Sequence, residues 1–210
     1  MTVAAPSAVE PTEPAANSRS GSRVRSPSAV WVLIAGVLGL AAAATLTVEK
    51  VQLLIDPSYV PSCSLNPVLS CGSVMTTPQA SAFGFPNSLM GIVAFTVVLM
   101  TGVLAVAKVS LPRWYWMGLA AGTLAGTVFV HWLIFQSLYR IGALCPYCMV
   151  VWAVTIPLLV VVSSIALQPA QGNAVARAVH QWRWSLVALW FTGLILLILE
   201  RFWDYWSTLL

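Results

Sequence analysis

The residues best suited to chemistry are four cysteines in two pairs. Two stand in the tetrapeptide Cys145-Pro146-Tyr147-Cys148; the others, Cys63 and Cys71, lie eight positions apart. A C-x-x-C spacing suits either metal binding or dithiol–disulfide exchange. Here a long apolar segment follows it directly. Cys145 falls where a helix N-cap belongs and Pro146 suits the first helical position. The positive end of a helix dipole lowers thiol pKa, and the thiolate is the attacking species. The expected arrangement has Cys145 more exposed and Cys148 facing inward, toward the helices.

A quinone ring at lipid depth could reach Cys148. Cys63 and Cys71, on a separate loop, could carry electrons between an external thiol protein and Cys145 by exchange. Two blander arrangements compete. Cys63–Cys71 could be a structural staple beside an inert Cys145–Cys148 pair. A four-cysteine zinc site is the other, but its usual form has two close-spaced pairs, and only one pair here has that spacing. The tetrapeptide CPYC also occurs in glutaredoxins, but no strand–helix pattern of a thioredoxin-like fold surrounds it here.

The elements that position these thiols are membrane spans. The 210 residues are 59% hydrophobic and 8% charged, against roughly 25% charge in soluble domains. The net charge of +4 comes from Arg and Lys at segment ends, a membrane pattern rather than a nucleic-acid one. Residues 1–28, rich in Ala, Ser and Pro, have the composition of a disordered tail. Ala29 to Val48 is a first span; a cleaved signal peptide ending near residues 41–44 is the alternative. Residues 49–85 form a loop punctuated by Pro and Ser. Spans follow from Pro86 to Ala107, Trp114 to Gln136, Cys145 or Pro146 to Leu167, and Trp184 to Leu199. Ser137–Leu144 and Gln168–Arg183 read as connections, and Pro157 as a kink. Gly118, Gly122 and Gly126 form a small-residue face for a neighbouring helix. The fold class is therefore an all-α membrane protein with five transmembrane helices and an outer loop at 49–85.

Five spans place the termini on opposite sides. With a cytoplasmic N-terminus, seven basic residues (Arg19, Arg23, Arg25, Lys108, Arg113, Arg177, Arg183) lie inside and three (Lys50, Arg140, Arg201) outside, which the positive-inside rule favours. All four cysteines then share the outer, oxidising side. His131 is a candidate for assisting proton transfer, because ionisable groups in spans are costly. Asn87 could simply cap a helix. Met75, Phe83 and Phe85 could line an apolar mouth or lie in lipid. Glu200, Arg201 and Asp204 have the character of interfacial anchors.

Four features in this order resemble the vitamin K epoxide reductase family in its bacterial form. They are the loop pair Cys63 and Cys71, a hydroxyl residue soon after (Thr76 or Thr77), FGFPNS leading into the second span, and C-x-x-C at the outer end of the fourth. The likeness covers about residues 30–167. The disulfide-bond protein B family uses similar chemistry with the two pairs in reversed order.

The resemblance implies a four-helix transmembrane bundle around a quinone (menaquinone or ubiquinone), plus a fifth transmembrane helix. It makes Cys145 and Cys148 the active-site pair, with Cys148 contacting the quinone. It makes Cys63 and Cys71 a relay, with Cys71 able to form a mixed disulfide with Cys145. Asn87 matches a position that hydrogen-bonds a quinone carbonyl, and Thr77 one that assists transfer between the pairs. Trp152 stands where the animal enzyme has tyrosine; indole can donate but cannot ionise. Many bacterial relatives carry a fused thioredoxin-like domain after the fifth helix. None is expected here, so the implied partner is a separate thioredoxin-fold protein, secreted or periplasmic. The expected function is a thiol oxidase of the bacterial plasma (inner) membrane, supporting disulfide-bond formation. The alternatives are quinone-epoxide reduction and a non-catalytic scaffold with stapled loops.

Overall fold

A computed structural model describes residues 26–167 and 174–208. The expected tail therefore lies outside the described residues up to position 25. The chain forms α1 (Ser26–Ile55), α2 (Cys71–Met75), α3 (Asn87–Val106), α4 (Arg113–Phe135), α5 (Pro146–Ala166), α6 (Ala174–Arg201) and α7 (Trp203–Trp206). A 3-10 turn spans Pro78–Ser81 and a π-helical turn spans Gln136–Ile141. Five of the described helices are long and apolar enough to cross a membrane, as the hydropathy of the sequence implied.

Three boundaries differ from the sequence expectation. α1 runs on from Val48 to Ile55, because Glu49, Lys50 and Gln52 are good helix formers whose polarity only marks the end of the apolar run. α6 begins at Ala174, absorbing much of the expected loop Gln168–Arg183; its Ala-rich start favours helix. The expected connection Ser137–Leu144 is largely the π-helical turn. Gly142, at φ 71°, ends it, and its N–H donates to the Ser137 carbonyl at 2.9 Å. A left-handed residue at that place suits glycine. α5 continues past Pro157 to Ala166.

α1, α3, α4 and α5 pack around a core that includes Val32, Val98, Trp116 and Val162. The close approach is between α1 and α3. A Cβ on Gly36 would lie 2.5 Å from the Leu99 backbone, and one on Gly102 would lie 2.5 Å from the Leu33 backbone. The glycine face expected to do this, Gly118, Gly122 and Gly126 on α4, meets nothing within 4 Å. Spacing alone marks a face on which packing is possible, whereas packing itself depends on which face of α4 the bundle covers. α6 lies against the others through a few contacts. The Trp190 indole N–H donates to His131 Nε2 at 2.9 Å, and Arg201 Nε donates to the Leu138 carbonyl at 2.9 Å.

Candidate active site

The segment after α1 is bent back over the bundle end by short polar turns. Asp56 accepts from the Ser58 N–H and hydroxyl, and Asn66 Oδ1 accepts from the N–H groups of Val68 and Leu69 at 3.0 and 2.7 Å. Such Asx turns set a chain direction without a tertiary partner. They bring Leu69 into an isolated parallel bridge with Leu144. Leu144 N–H donates to the Val68 carbonyl at 2.7 Å, and Ser70 N–H to the Leu144 carbonyl at 2.9 Å. Ser70 then caps α2, accepting from the Ser73 N–H. The bridge thus joins the residue before Cys145 to the entrance of the helix that Cys71 begins.

Cys63 and Cys71 form a disulfide with Cα atoms 5.5 Å apart, while Cys145 and Cys148 are free thiols. Cys71 Sγ lies 3.1 Å from Cys145 Sγ. The sulfurs of Cys63, Cys71 and Cys145 fall within 4.8 Å of one another; with two joined as a disulfide, they are not free to act as metal ligands in this state.

Cys145 caps α5, its carbonyl accepting the Met149 N–H at 3.0 Å, with Pro146 at the first position. The expected exposure is reversed. Cys145 is buried and Cys148 is the more accessible of the two. The fold of segment 68–75 over the start of α5 covers Cys145, which the local C-x-x-C pattern does not register. The Cys148 thiol, with the Cys148 and Tyr147 backbone N–H groups, holds the Cys145 thiol below the ordinary cysteine value, although burial pushes it upward.

Cys148 opens on a cavity of about 80 Å³, compared with the roughly 10–15 Å³ that one water needs. Its walls come from the ends of α1, α3, α4 and α5 and from α2. Leu46, Val74, Met75, Leu133 and Ile141 supply apolar surface, and Lys50, Asn87, Gln136 and Ser137 supply polar groups. Trp152 lines it one turn beyond Cys148, and its indole N–H is buried with no hydrogen-bond partner.

The other residues singled out in the sequence separate into two groups. Asn87 lines the cavity but is not a helix cap: Pro86 holds that position. Its side chain instead pins the 3-10 turn, donating to the Gln79 carbonyl at 2.7 Å and accepting from the Ala82 N–H at 3.0 Å. Met75 lines the cavity, whereas Phe83 and Phe85 are exposed and the Phe83 ring meets that of Phe129 at a tilt. Thr77 and His131 do not line it. The Thr77 hydroxyl donates to the Val74 carbonyl at 2.7 Å. His131 has both nitrogens engaged, Nδ1 with the Thr127 carbonyl and Nε2 with Trp190, so it ties α4 to α6. Sequence reasoning missed Glu49, which was only the first residue of the expected loop, and Lys50, which was counted only among the outer basic residues. Adjacent ionisable residues at the end of an apolar span were the available signal.

A comparison with curated proteins found no match. The vitamin K epoxide reductase family matches residues 30–163, and the chain, with its two cysteine pairs meeting beside a cavity at one end of the bundle, belongs to that family of quinone-linked disulfide oxidoreductases.

Proposed function

We propose that the protein is a membrane thiol oxidase that carries electrons from a separate dithiol protein through Cys63–Cys71 and Cys145–Cys148 to a quinone. The observation that carries this reading is the 3.1 Å separation of Cys71 Sγ and Cys145 Sγ beside a cavity at the end of the helix bundle. Reacting atoms about 3–3.5 Å apart are already at near-attack distance. A mere staple has no need of a third sulfur there.

The residues present suit a quinone. Its ring needs apolar walls and its carbonyls need donors. The unpartnered Trp152 N–H and the second N–H of Asn87 are such donors. An unmatched buried N–H costs about 1–3 kcal/mol, which a carbonyl acceptor would recover. When bound, a quinone accepts two electrons and two protons.

The protein's own steps balance as thiol–disulfide exchange. A thiolate of the partner attacks the Cys63–Cys71 disulfide, and the partner's second thiol resolves the mixed disulfide, leaving Cys63 and Cys71 as thiols. With Cys145–Cys148 oxidised, Cys71 thiolate attacks Cys145 and Cys148 leaves as thiolate. Cys63 then attacks Cys71, freeing Cys145 and restoring the relay disulfide. The resulting state, relay oxidised and Cys145 and Cys148 reduced, is the one described above. Closing Cys145–Cys148 again releases two electrons and two protons. An oxidising thiol partner can be regenerated only by a better acceptor, and this sets the direction.

The partner is a secreted or periplasmic thioredoxin-fold protein. The cysteines face the outer side of a bacterial plasma membrane, as the seven-to-three distribution of basic residues favours. The test is quinone reduction by purified protein supplied with a reduced thioredoxin-fold dithiol. Turnover is expected in the wild type and absent in Cys148→Ala; undiminished turnover in that variant rules the mechanism out.

A further inference from the structure

Glu49 and Lys50 are neighbours near the end of α1, and each holds a different end of the segment that carries the relay cysteines. The buried Glu49 carboxylate accepts from the Tyr59 hydroxyl at 2.8 Å, the Ser62 N–H at 3.3 Å and the Ser62 hydroxyl. Ser62 precedes Cys63. The Lys50 ammonium donates to the Met75 carbonyl at 2.7 Å. Met75 closes α2, the helix that Cys71 opens. One point on a long, packed helix therefore grips both flanks of the Cys63–Cys71 disulfide.

We propose that Glu49 and Lys50 are the positioning residues of the relay, holding Cys71 against Cys145 while the covalent link between Cys63 and Cys71 is open. The inference deepens the thiol-relay function proposed above. Each turnover breaks the Cys63–Cys71 bond, and breaking a disulfide returns conformational freedom to the loop it closed. The Leu69–Leu144 bridge holds the chain just ahead of Cys71, but it reaches neither the Cys63 flank nor the end of α2. The Glu49 bonds hold the first of these. A buried carboxylate without donors is costly, and the Tyr59 and Ser62 donors to Glu49 all come from the loop. Movement of Ser62 away from α1 would strand that charge. Lys50 acts at the other flank, holding the end of α2 while Ser70 holds its start. The two anchors are covalently adjacent, so they fix the separation of the two flanks as well as the place of each.

The test isolates exchange from the quinone and from the partner. In a Cys63→Ala, Cys148→Ala protein the relay link is permanently open and Cys71 and Cys145 are the remaining thiols. Oxidised glutathione caps one of them, releasing one glutathione, and the other thiolate then attacks, forming the Cys71–Cys145 bond and releasing the second glutathione. Acid quenching, alkylation and peptide mapping give the rate at which the Cys71–Cys145 disulfide appears. Added to this background, Glu49→Gln and Lys50→Met are each expected to slow its appearance about 10- to 100-fold, the scale of a misplaced reacting group. Lys50→Arg, which keeps a donor to Met75, is expected to restore most of the rate. Tyr59→Phe and Ser62→Ala remove single donors to Glu49 and provide milder variants if Glu49→Gln does not fold. An exchange rate equal to the parent's in Glu49→Gln and Lys50→Met, or in the milder pair, overturns the proposal. So does a lowered melting temperature with exchange unchanged, the mark of a purely structural tie. If exchange slows as expected yet the wild type reduces no quinone, the thiol-oxidase reading fails and the positioning role stands.

Discussion

Cys71 and Cys145 come from segments seventy-four positions apart and their sulfurs stand 3.1 Å from each other. The Leu69–Leu144 bridge makes this possible, since it locks the backbone just before each cysteine. Removing Cys148 should therefore divert Cys145 onto Cys71. Non-reducing mapping of Cys148→Ala is expected to find a Cys71–Cys145 disulfide as a major species. Finding only Cys63–Cys71 would mean that the contact is not reactive.

Cys145 is held below the ordinary cysteine pKa chiefly by the Cys148 thiol beside it. A lowered pKa means that the thiolate is present at lower pH. The rate of Cys145 alkylation in the reduced protein should thus rise with pH and level off below the pH at which an ordinary thiol does so. In Cys148→Ala the main lowering cause is gone, and the levelling-off should move to higher pH. An identical profile in the two proteins would assign the lowering elsewhere.

The indole N–H of Trp152 has no partner in the protein although its ring is buried against the cavity. Trp152→Phe removes the donor and keeps an aromatic wall. The Michaelis constant for quinone is expected to rise about tenfold, the equivalent of a hydrogen bond of roughly 1–1.5 kcal/mol. Titration with quinone at saturating dithiol measures it, and an unchanged constant would remove Trp152 from the acceptor site.

His131 and Trp190 are bonded to each other across α4 and α6, away from the cavity. His131→Phe should leave quinone reduction within about twofold of wild type while lowering stability by about 0.6 kcal/mol, the average for interhelical bonds in membranes. Thermal unfolding in detergent together with the turnover assay distinguishes this from a proton-transfer role, for which turnover would collapse.

Gly36 and Gly102 sit where α1 and α3 nearly touch, each facing the other helix's backbone. Backbone cannot step aside as a side chain can. Gly102→Val is expected to destabilise the fold by about 1–3 kcal/mol or more, whereas Gly122→Val, on the open face of α4, should have little effect. Equal melting temperatures for the two variants would contradict the packing.

Hydropathy and residue type were enough to determine the five spans, the two cysteine pairs and the start of α5 to within one residue, at Cys145 or Pro146, because these follow from local properties: length of apolar run, proline at a first turn, spacing along one chain. Asn87 and Trp152 were singled out as well, through their place in a recurring order of motifs, and both line the cavity. Three things depended on tertiary structure. Which thiol of the C-x-x-C is covered was decided by a loop folding back from another segment. Which glycines pack was decided by which helix faces meet. That Glu49 and Lys50 bond the flanks of the relay loop, while His131 bonds Trp190 of α6, was decided by hydrogen bonds between residues far apart in sequence. Local pattern carries information along the chain, but burial and partnership depend on what arrives from elsewhere, and only the folded arrangement determines that.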